Sequence, residues 1–129
     1  MSKILAEISH GELLDKISIL EIKLNKIKDI AMLKNVKEEY DILKETKNKN
    51  INFSKEIANL YADLKNVNEK LWNIEDEIRL CEKNSDFKDK FIQLAREVYF
   101  NNDKRFKIKS KINKILGSDL EEAKQYTKY

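Results

Sequence analysis

Two polar residues interrupt an otherwise apolar helical series near the C-terminal end of the chain. Asn101 and Arg105 take positions where the steps of three and four residues call for aliphatic side chains. A polar side chain inside an apolar seam is costly unless it is paired, so a role in helix register, pairing or ligand binding is expected. The apolar members of the series are Phe87, Phe91, Leu94, Val98, Ile108, Ile112 and Ile115.

We call Asn101 and Arg105 the Arg105 layer. The chemistry that it offers is the recognition of an anion by a buried guanidinium. Lys109 and Asn102 flank Arg105, which resembles in a reduced form the cationic pockets of small helical enzymes. If the helices pack antiparallel, Asn68 lies level with Asn101, and Glu21 lies near Arg105. We therefore expect a Glu21–Arg105 ion pair, supported by Asn68 and by the hydroxyls of Tyr40 and Tyr61. The candidate ligand-binding residues are Arg105, Asn101, Asn102, Asn68, Glu21, Trp72, Glu75 and Lys109.

Other reaction types find little support in the sequence. One histidine, His10, excludes a four-helix di-iron site, and it is expected on the surface. The pairs Glu12-x-x-Asp15 and Glu38-x-x-Asp41 match acidic motifs of magnesium-dependent hydrolases. Their helical phase places them away from the apolar faces, so we expect solvated carboxylates, no metal site and no cofactor.

Two surface features have alternative interpretations. Trp72 lies on the same flank as Glu75 and is either a hot spot for a partner or a sugar, or a residue covered by the first helix. A stripe of lysines at helical spacing either contacts phosphates or forms a solvated face, and the solvated face is favoured because no aromatic residues interleave with it. The stripe consists of Lys104, Lys107, Lys111 and Lys114.

The elements that must position these residues are helices. Proline is absent, glycine occurs only at positions 11 and 117, and 38% of residues are charged. We expect one all-α domain over residues 1–129, an antiparallel bundle of three or four helices with long, coiled-coil-like members. The expected helices are 10–30, 32–47, 54–83 and 86–116, followed by a short tail, 118–129, with one helical turn near 120–123. The expected caps are Ser9 with Glu12, Asp29, Ser54, Ser85 or Asp86, and Gly117.

The third and first of these helices differ in their apolar patterns. The third has an unbroken seam: Ile57, Leu60, Leu64, Val67, Leu71, Ile74, Ile78 and Cys81. The first is apolar on more than one side, since Ile19, Ile22 and Ile30 lie off its main face. These three residues either are sandwiched by neighbouring helices or form an interaction face for a partner chain. Whether the first two helices form a hairpin or a kinked continuous helix is left open.

Composition limits the partners and the compartment. A net charge of +3 weighs against nucleic acid, and no segment is apolar and long enough to span a membrane or serve as a signal peptide. A single cysteine, Cys81, on an apolar helix face is expected to be buried and reduced. We therefore expect a cytoplasmic protein.

Four blocks of the sequence resemble a bacterial family known only as a domain of unknown function (DUF 6165-like). They are SHGELLDKISILEIK, VNEKLWNIEDEIR, LAREVYFNNDKR and INKILGSDLEEAKQY, in this order along the chain. The resemblance implies an all-helical domain whose genes are associated with surface-polysaccharide and glycosyltransferase genes, and it implies no activity. The polar residues of the blocks that it marks as site candidates are Glu12, Asp15, Lys16, Glu21, Lys23, Asn68, Trp72, Glu75, Asp76, Arg96, Tyr99, Asn102, Asp103 and Arg105.

The functional prediction is a non-catalytic helical interaction module. We expect it to self-associate as a homo-oligomer and to work with surface-glycan assembly enzymes, with a glycosyltransferase-type protein as partner. The alternative is an anion- or small-molecule-binding protein, or a small helical enzyme, with its pocket at the Arg105 layer. A cavity at Arg105 favours the alternative, and a dry, fully paired layer weighs against it.

Overall fold

The computed structural model describes residues 2–129, and within them four helices account for all regular secondary structure. These are α1 (His10–Lys26), α2 (Ile30–Asn50), α3 (Lys55–Lys83) and α4 (Asp89–Leu116). The all-α prediction is confirmed. None of the helices in the described part of the chain is long and apolar enough to cross a membrane.

Side-chain caps begin the first three helices as the sequence predicts. Ser9, Asp29 and Ser54 each accept a hydrogen bond from the backbone N–H three residues later, which satisfies one of the free donors of a helix start. Gly117 ends α4 in the left-handed conformation, with φ at 64°, where a side chain would be strained.

The connections differ from the expected boundaries. α1 ends four residues earlier than predicted, at Lys26, and α2 ends three residues later than predicted, at Asn50. The expected cap of α4 at Ser85 or Asp86 is wrong. Asp86 instead accepts from the backbone N–H of Lys88, and α4 begins at Asp89 without a side-chain cap. The turn expected near 120–123 is not helical either.

α1 and α2 form a hairpin rather than a kinked helix. Ile27 at the end of α1 is extended, and the chain reverses before Asp29 caps α2. Tyr40 and Leu43, in the second half of α2, pack against the cluster that contains Leu13 and Ile17 near the start of α1. Such contacts between distant ends of the pair require antiparallel neighbours.

α3 and α4 form a longer hairpin, and α1 lies across one of its faces. α1 contacts all three other helices, whereas α2 contacts α1 alone among the helices. The main core joins Leu14 and Ile17 of α1 to Leu64 of α3 and Ile112 of α4. A second, smaller core near the closed end of the long hairpin contains only α3 and α4 residues, including the predicted buried Cys81.

α1 is buried on two sides, which bears on the two interpretations of Ile19, Ile22 and Ile30. Ile22 is buried, with 1% of its surface exposed, and Ile19 is partly buried. Ile30 is 84% exposed but belongs to α2. The three isoleucines therefore do not form one exposed face, because the neighbouring helices cover the second side of α1.

Candidate functional site

A buried ion pair between α1 and α4 forms the centre of the candidate site. Asp15 of α1 is 1% exposed. Arg105 of α4 donates to it twice, from Nε to Oδ1 at 2.9 Å and from a terminal nitrogen to Oδ2 at 2.5 Å. This two-pronged geometry is the strong form of the arginine–carboxylate pair and fixes the relative position of the two helices.

Asn68 of α3 completes the arrangement. Its Nδ2 donates to Asp15 Oδ1 at 2.9 Å and to Ser18 Oγ at 2.8 Å, and the Ser18 hydroxyl donates to the Asp15 carbonyl at 2.7 Å. Ser18 is fully buried and Asn68 is 5% exposed. We call Asp15, Ser18, Asn68 and Arg105 the polar cluster. It ties three helices together at one point of the fold.

The partner predicted for Arg105 is wrong. Glu21 does not contact Arg105. It accepts a hydrogen bond from Tyr61 and lies 3.9 Å from Lys65, both on α3. Asp15 takes the position instead, and the expectation that this carboxylate is solvated is also wrong. The prediction failed for one physical reason. α4 packs on a side of α1 that the apolar pattern of α1, taken alone, assigns to solvent.

The polar contacts continue toward the start of α1. The backbone N–H of Gly11 donates to Asn113 Oδ1 at 2.7 Å. A Cβ at Gly11 would lie 2.6 Å from the Lys109 carbonyl oxygen, so the two helices approach too closely here for any side chain. Neither Gly11 nor Asn113 was among the site residues predicted from the sequence. Gly11 carried the only signal, a glycine within the first turn of a helix, where it is otherwise unfavourable.

Lys109 is 8% exposed and lies between two carboxylates. Its Nζ is 3.3 Å from Glu12 Oε2 and 2.8 Å from Glu122 Oε1 in the C-terminal tail. Burial lowers the pKa of Lys109, but the hydrogen bond to Glu122 and the nearby negative charges outweigh it, so the pKa is raised above its ordinary value. The hydrogen bonds that Arg105 donates to Asp15 likewise raise the pKa of the guanidinium. Both cations therefore stay charged and paired at neutral pH.

Asn101 lies apart from the polar cluster although it belongs to the same helix. It is 7% exposed, and its Nδ2 donates to the Glu97 carbonyl one turn earlier in α4. Its Oδ1 is buried and has no hydrogen-bond partner within residues 2–129. A buried carbonyl oxygen without a partner costs about 1–3 kcal/mol, so this residue weakens the fold unless something outside the chain pairs with it.

The remaining candidates do not converge on Arg105. Trp72 and Asn102 are partly buried, and Glu75 pairs with Arg79 on the exposed side of α3. His10, expected on the surface, is partly buried and has an Nδ1 without a partner in the described chain. In residues 2–129 no group of three or more His, Cys, Asp or Glu side chains is arranged to hold a metal ion.

A second surface, on the α3–α4 hairpin, is open. Two grooves of about 480 Å³ each lie at successive levels along the pair and are lined by α3 and α4 residues. Together we call them the back groove. One section is lined by Glu56, Asn59, Leu60, Asp63, Lys111, Lys114 and Ile115. The other is lined by Lys70, Asn73, Ile74, Glu77, Gln93, Glu97, Phe100, Asn101 and Lys104.

Comparison with known protein families gives a match. A family model described as a family of unknown function, DUF6165, matches residues 4–128 and so covers nearly the whole chain. No curated protein and no solved structure matches.

Proposed function

We propose that this chain, which belongs to the DUF6165 family of unknown function, is a non-catalytic helical interaction module that self-associates. The observation that carries the proposal is that the most chemically capable residues of the chain are already paired. The guanidinium, carboxylate and amide that sequence analysis marks as reactive or ligand-binding are engaged with one another.

A ligand pocket at Arg105 is disfavoured by this pairing. An incoming anion would have to displace Asp15, which is held by three hydrogen bonds and is almost inaccessible to water. Releasing that carboxylate without its counter-ion would cost several kcal/mol before any ligand bound. Neither section of the back groove includes Arg105.

The polar cluster has a structural role under this proposal. It joins α1 to both helices of the long hairpin through side chains that match in shape and charge. The open back groove, with polar rims and partly apolar walls, is then the surface that remains for a macromolecular partner.

The partners proposed beyond a second copy are surface-glycan assembly enzymes, and a glycosyltransferase in particular. This part is supported by the resemblance of the four sequence blocks alone. Its direct test is co-elution of the purified chain with a purified surface-glycan glycosyltransferase from the same genome. Separate elution at concentrations well above those in the cell would refute the proposed glycosyltransferase partner and leave the proposed self-association untouched.

A thermal-shift screen separates the module from the pocket. Under the proposal, nucleotide sugars, phosphate and sulfate leave the melting temperature of the wild type unchanged. A ligand-induced rise that is lost in Arg105→Met would overturn the proposal in favour of an anion site. Arg79→Met is the matched control, because Arg79 is 78% exposed and its one ion pair within residues 2–129 is with Glu75 on its own helix.

A further inference from the structure

The segment that precedes α1 carries aliphatic side chains that nothing in the described chain covers. Ile4 and Leu5 are 92% and 88% exposed, more than any other large apolar side chain of residues 2–129, and Ile8 is 42% exposed. Every residue from 2 to 8 is exposed. Single exposed aliphatic residues are ordinary on a protein surface, but three of them within five residues form a contiguous apolar strip. We call residues 2–8 the arm.

The backbone of the arm is also unpaired. Ser9 caps α1 with extended backbone angles, φ −70° and ψ 159°, so the helix does not continue into the arm. The arm has no regular secondary structure, and none of its N–H or C=O groups bonds to another backbone group within residues 2–129. Lys3 and Glu7, which give the arm a net charge of zero, form no ion pair there. An uncharged aliphatic segment with free backbone groups is suited to pairing with another strand.

The sequence of the arm is complementary to itself when two copies run antiparallel. With Leu5 of one copy opposite Leu5 of the other, Lys3 of each copy faces the second copy's Glu7. Both charged contacts of this register are therefore between opposite charges. The remaining opposed pairs are Ile4 with Ala6 and Ser2 with Ile8.

We propose that the arm pairs with the arm of a second copy of this chain, as a two-stranded antiparallel ribbon about a two-fold axis at Leu5. This inference rests on the proposed self-association and names its surface. The contact is isologous, since the same residues of both copies form it. A two-stranded ribbon is marginally stable in water, so the dimer is expected to be weak and to exchange with the monomer.

The charges select this register over the alternatives. A parallel, in-register ribbon places Lys3 against the second copy's Lys3 and Glu7 against its Glu7, which is unfavourable at both positions. An antiparallel ribbon shifted by one or two residues moves Lys3 away from Glu7. A shift by one residue also exchanges the two faces of the strand.

The two faces of the proposed ribbon differ in polarity. Side chains alternate along an extended strand, so Leu5 shares one face with the charged residues. The other face consists of Ile4, Ala6 and Ile8 of each copy. The ribbon therefore has one apolar face and one face on which the charges pair.

Each arm reaches the start of the second copy's α1, where further apolar surface is available. At that place the Ser118 hydroxyl accepts a hydrogen bond from the backbone N–H of His10 at 3.3 Å and donates one to the Leu120 carbonyl at 2.7 Å. Leu120, 44% exposed, therefore lies near the end of the ribbon and can extend its apolar face.

Charge reversal tests the pairing. Lys3→Glu and Glu7→Lys each place like charges at both symmetric contacts. At low salt each variant alone is expected to dissociate about tenfold more readily than the wild type, because both contacts change from attraction to repulsion. Mixed in equal amounts, the two variants form a heterodimer whose contacts are again between opposite charges. The double variant Lys3→Glu/Glu7→Lys restores the same contacts in a homodimer.

Sedimentation velocity on each variant, on the double variant and on the mixture measures the outcome. Lys34→Glu and Glu38→Lys are the matched controls, because they carry the same charge changes at the same spacing on exposed positions of α2. Both are expected to associate like the wild type. Recovery in the mixture supports the inference, because a pairing within one chain cannot be restored by mixing two chains.

Cysteine cross-linking tests the axis. Opposed residues of an antiparallel pair have their Cβ atoms roughly 5 Å apart, so Leu5→Cys is expected to form a disulfide-linked dimer under mild oxidation. Ala6→Cys is the matched control, because the two copies of residue 6 lie diagonally, roughly 7–8 Å apart, and are expected to link far less. Cys81 is buried and common to both variants.

The results separate this inference from the proposal on which it rests. A wild type that dimerises while both reversals leave the dimer unchanged would overturn the inference and leave the proposed self-association standing. Reversals that dissociate the dimer without recovery on mixing, or equal cross-linking at positions 5 and 6, would also overturn it. A wild type that stays monomeric at every concentration would refute the proposed self-association itself.

Discussion

Replacing Arg105 by methionine removes one partner of the buried ion pair and keeps most of the side-chain volume. Asp15 would remain 1% exposed with only the Asn68 amide donating to its carboxylate. Breaking a buried pair from one side typically costs 3–5 kcal/mol, because the remaining charge stays desolvated. Arg105 itself has 28% of its side chain exposed, so water enters more easily, and we expect the lower end, about 3 kcal/mol.

The expected change in melting temperature follows from the length of the chain. For 129 residues the unfolding entropy is about 0.27 kcal/mol per kelvin, so a loss of about 3 kcal/mol lowers the melting temperature by about 11 °C. Arg79→Met removes an exposed pair along one helix and is expected to cost less than about 0.5 kcal/mol. Differential scanning calorimetry on both variants measures the contrast.

A double-mutant cycle with Asp15→Leu isolates the pair. Leucine at position 15 removes the buried charge, and Asn68 keeps its hydrogen bond to Ser18. The double variant Asp15→Leu/Arg105→Met is then expected to be more stable than Arg105→Met alone, with a coupling of about 2 kcal/mol between the two positions. Additive losses at the two positions would refute the reasoning, since they would mean that the carboxylate and guanidinium contribute independently.

Three further changes test other parts of the fold. Gly11→Ala should destabilise the protein by more than Gly117→Ala in chemical denaturation, despite the better helix propensity of alanine, because an added Cβ collides with the backbone of α4 at the first site. At the second site it meets open space and costs only the strain of a positive φ. Equal losses would show that the approach of the two helices relaxes freely. Asn101→Leu should raise the melting temperature by a few degrees by removing a buried carbonyl oxygen without a partner, and a lower value would mean that this oxygen is bonded in solution. Burial and the hydrogen bond to Glu21 raise the pKa of Tyr61 well above 10.0, so the folded state holds this proton more tightly than the unfolded state and the resulting stability is lost as the pH rises past 10. Tyr61→Phe should flatten that alkaline loss in pH-dependent unfolding, and an unchanged slope would contradict the assigned environment.

The helices were predictable because their determinants are local. Each of the three caps that the sequence names for α1, α2 and α3 is a single side chain acting on an N–H three residues away. The unbroken seam of α3 likewise needs no knowledge of its partner. The start of α4 was not predictable from the same evidence, because Ser85 has a positive φ and the turn is closed by the backbone of residues 81–86.

The partner of Arg105 depends on packing that no local pattern contains. The sequence indicates that an unpaired guanidinium in the seam needs a carboxylate, and in the structure Asn68 of α3 donates to that carboxylate as well. The choice between Glu21 and Asp15 depends on which side of α1 meets α4. α1 starts beside α4, where Gly11 bonds to Asn113, and ends beside α3, where Glu21 bonds to Tyr61. Only this diagonal crossing brings Asp15 to Arg105.

The diagonal crossing also explains why one face of the long hairpin is left open. Apolar burial favours the face that α1 occupies, where Leu64 and Ile112 join the main core. Polar groups add to this preference, because Asn68, Arg105 and Asn113 all lie on the same face. The cations that line the other face are lysines, so Asp15 docked there would lack the two-pronged contact that a guanidinium provides. The same residues that close the predicted ligand layer thus direct α1 to one side, and within residues 2–129 the back groove stays uncovered.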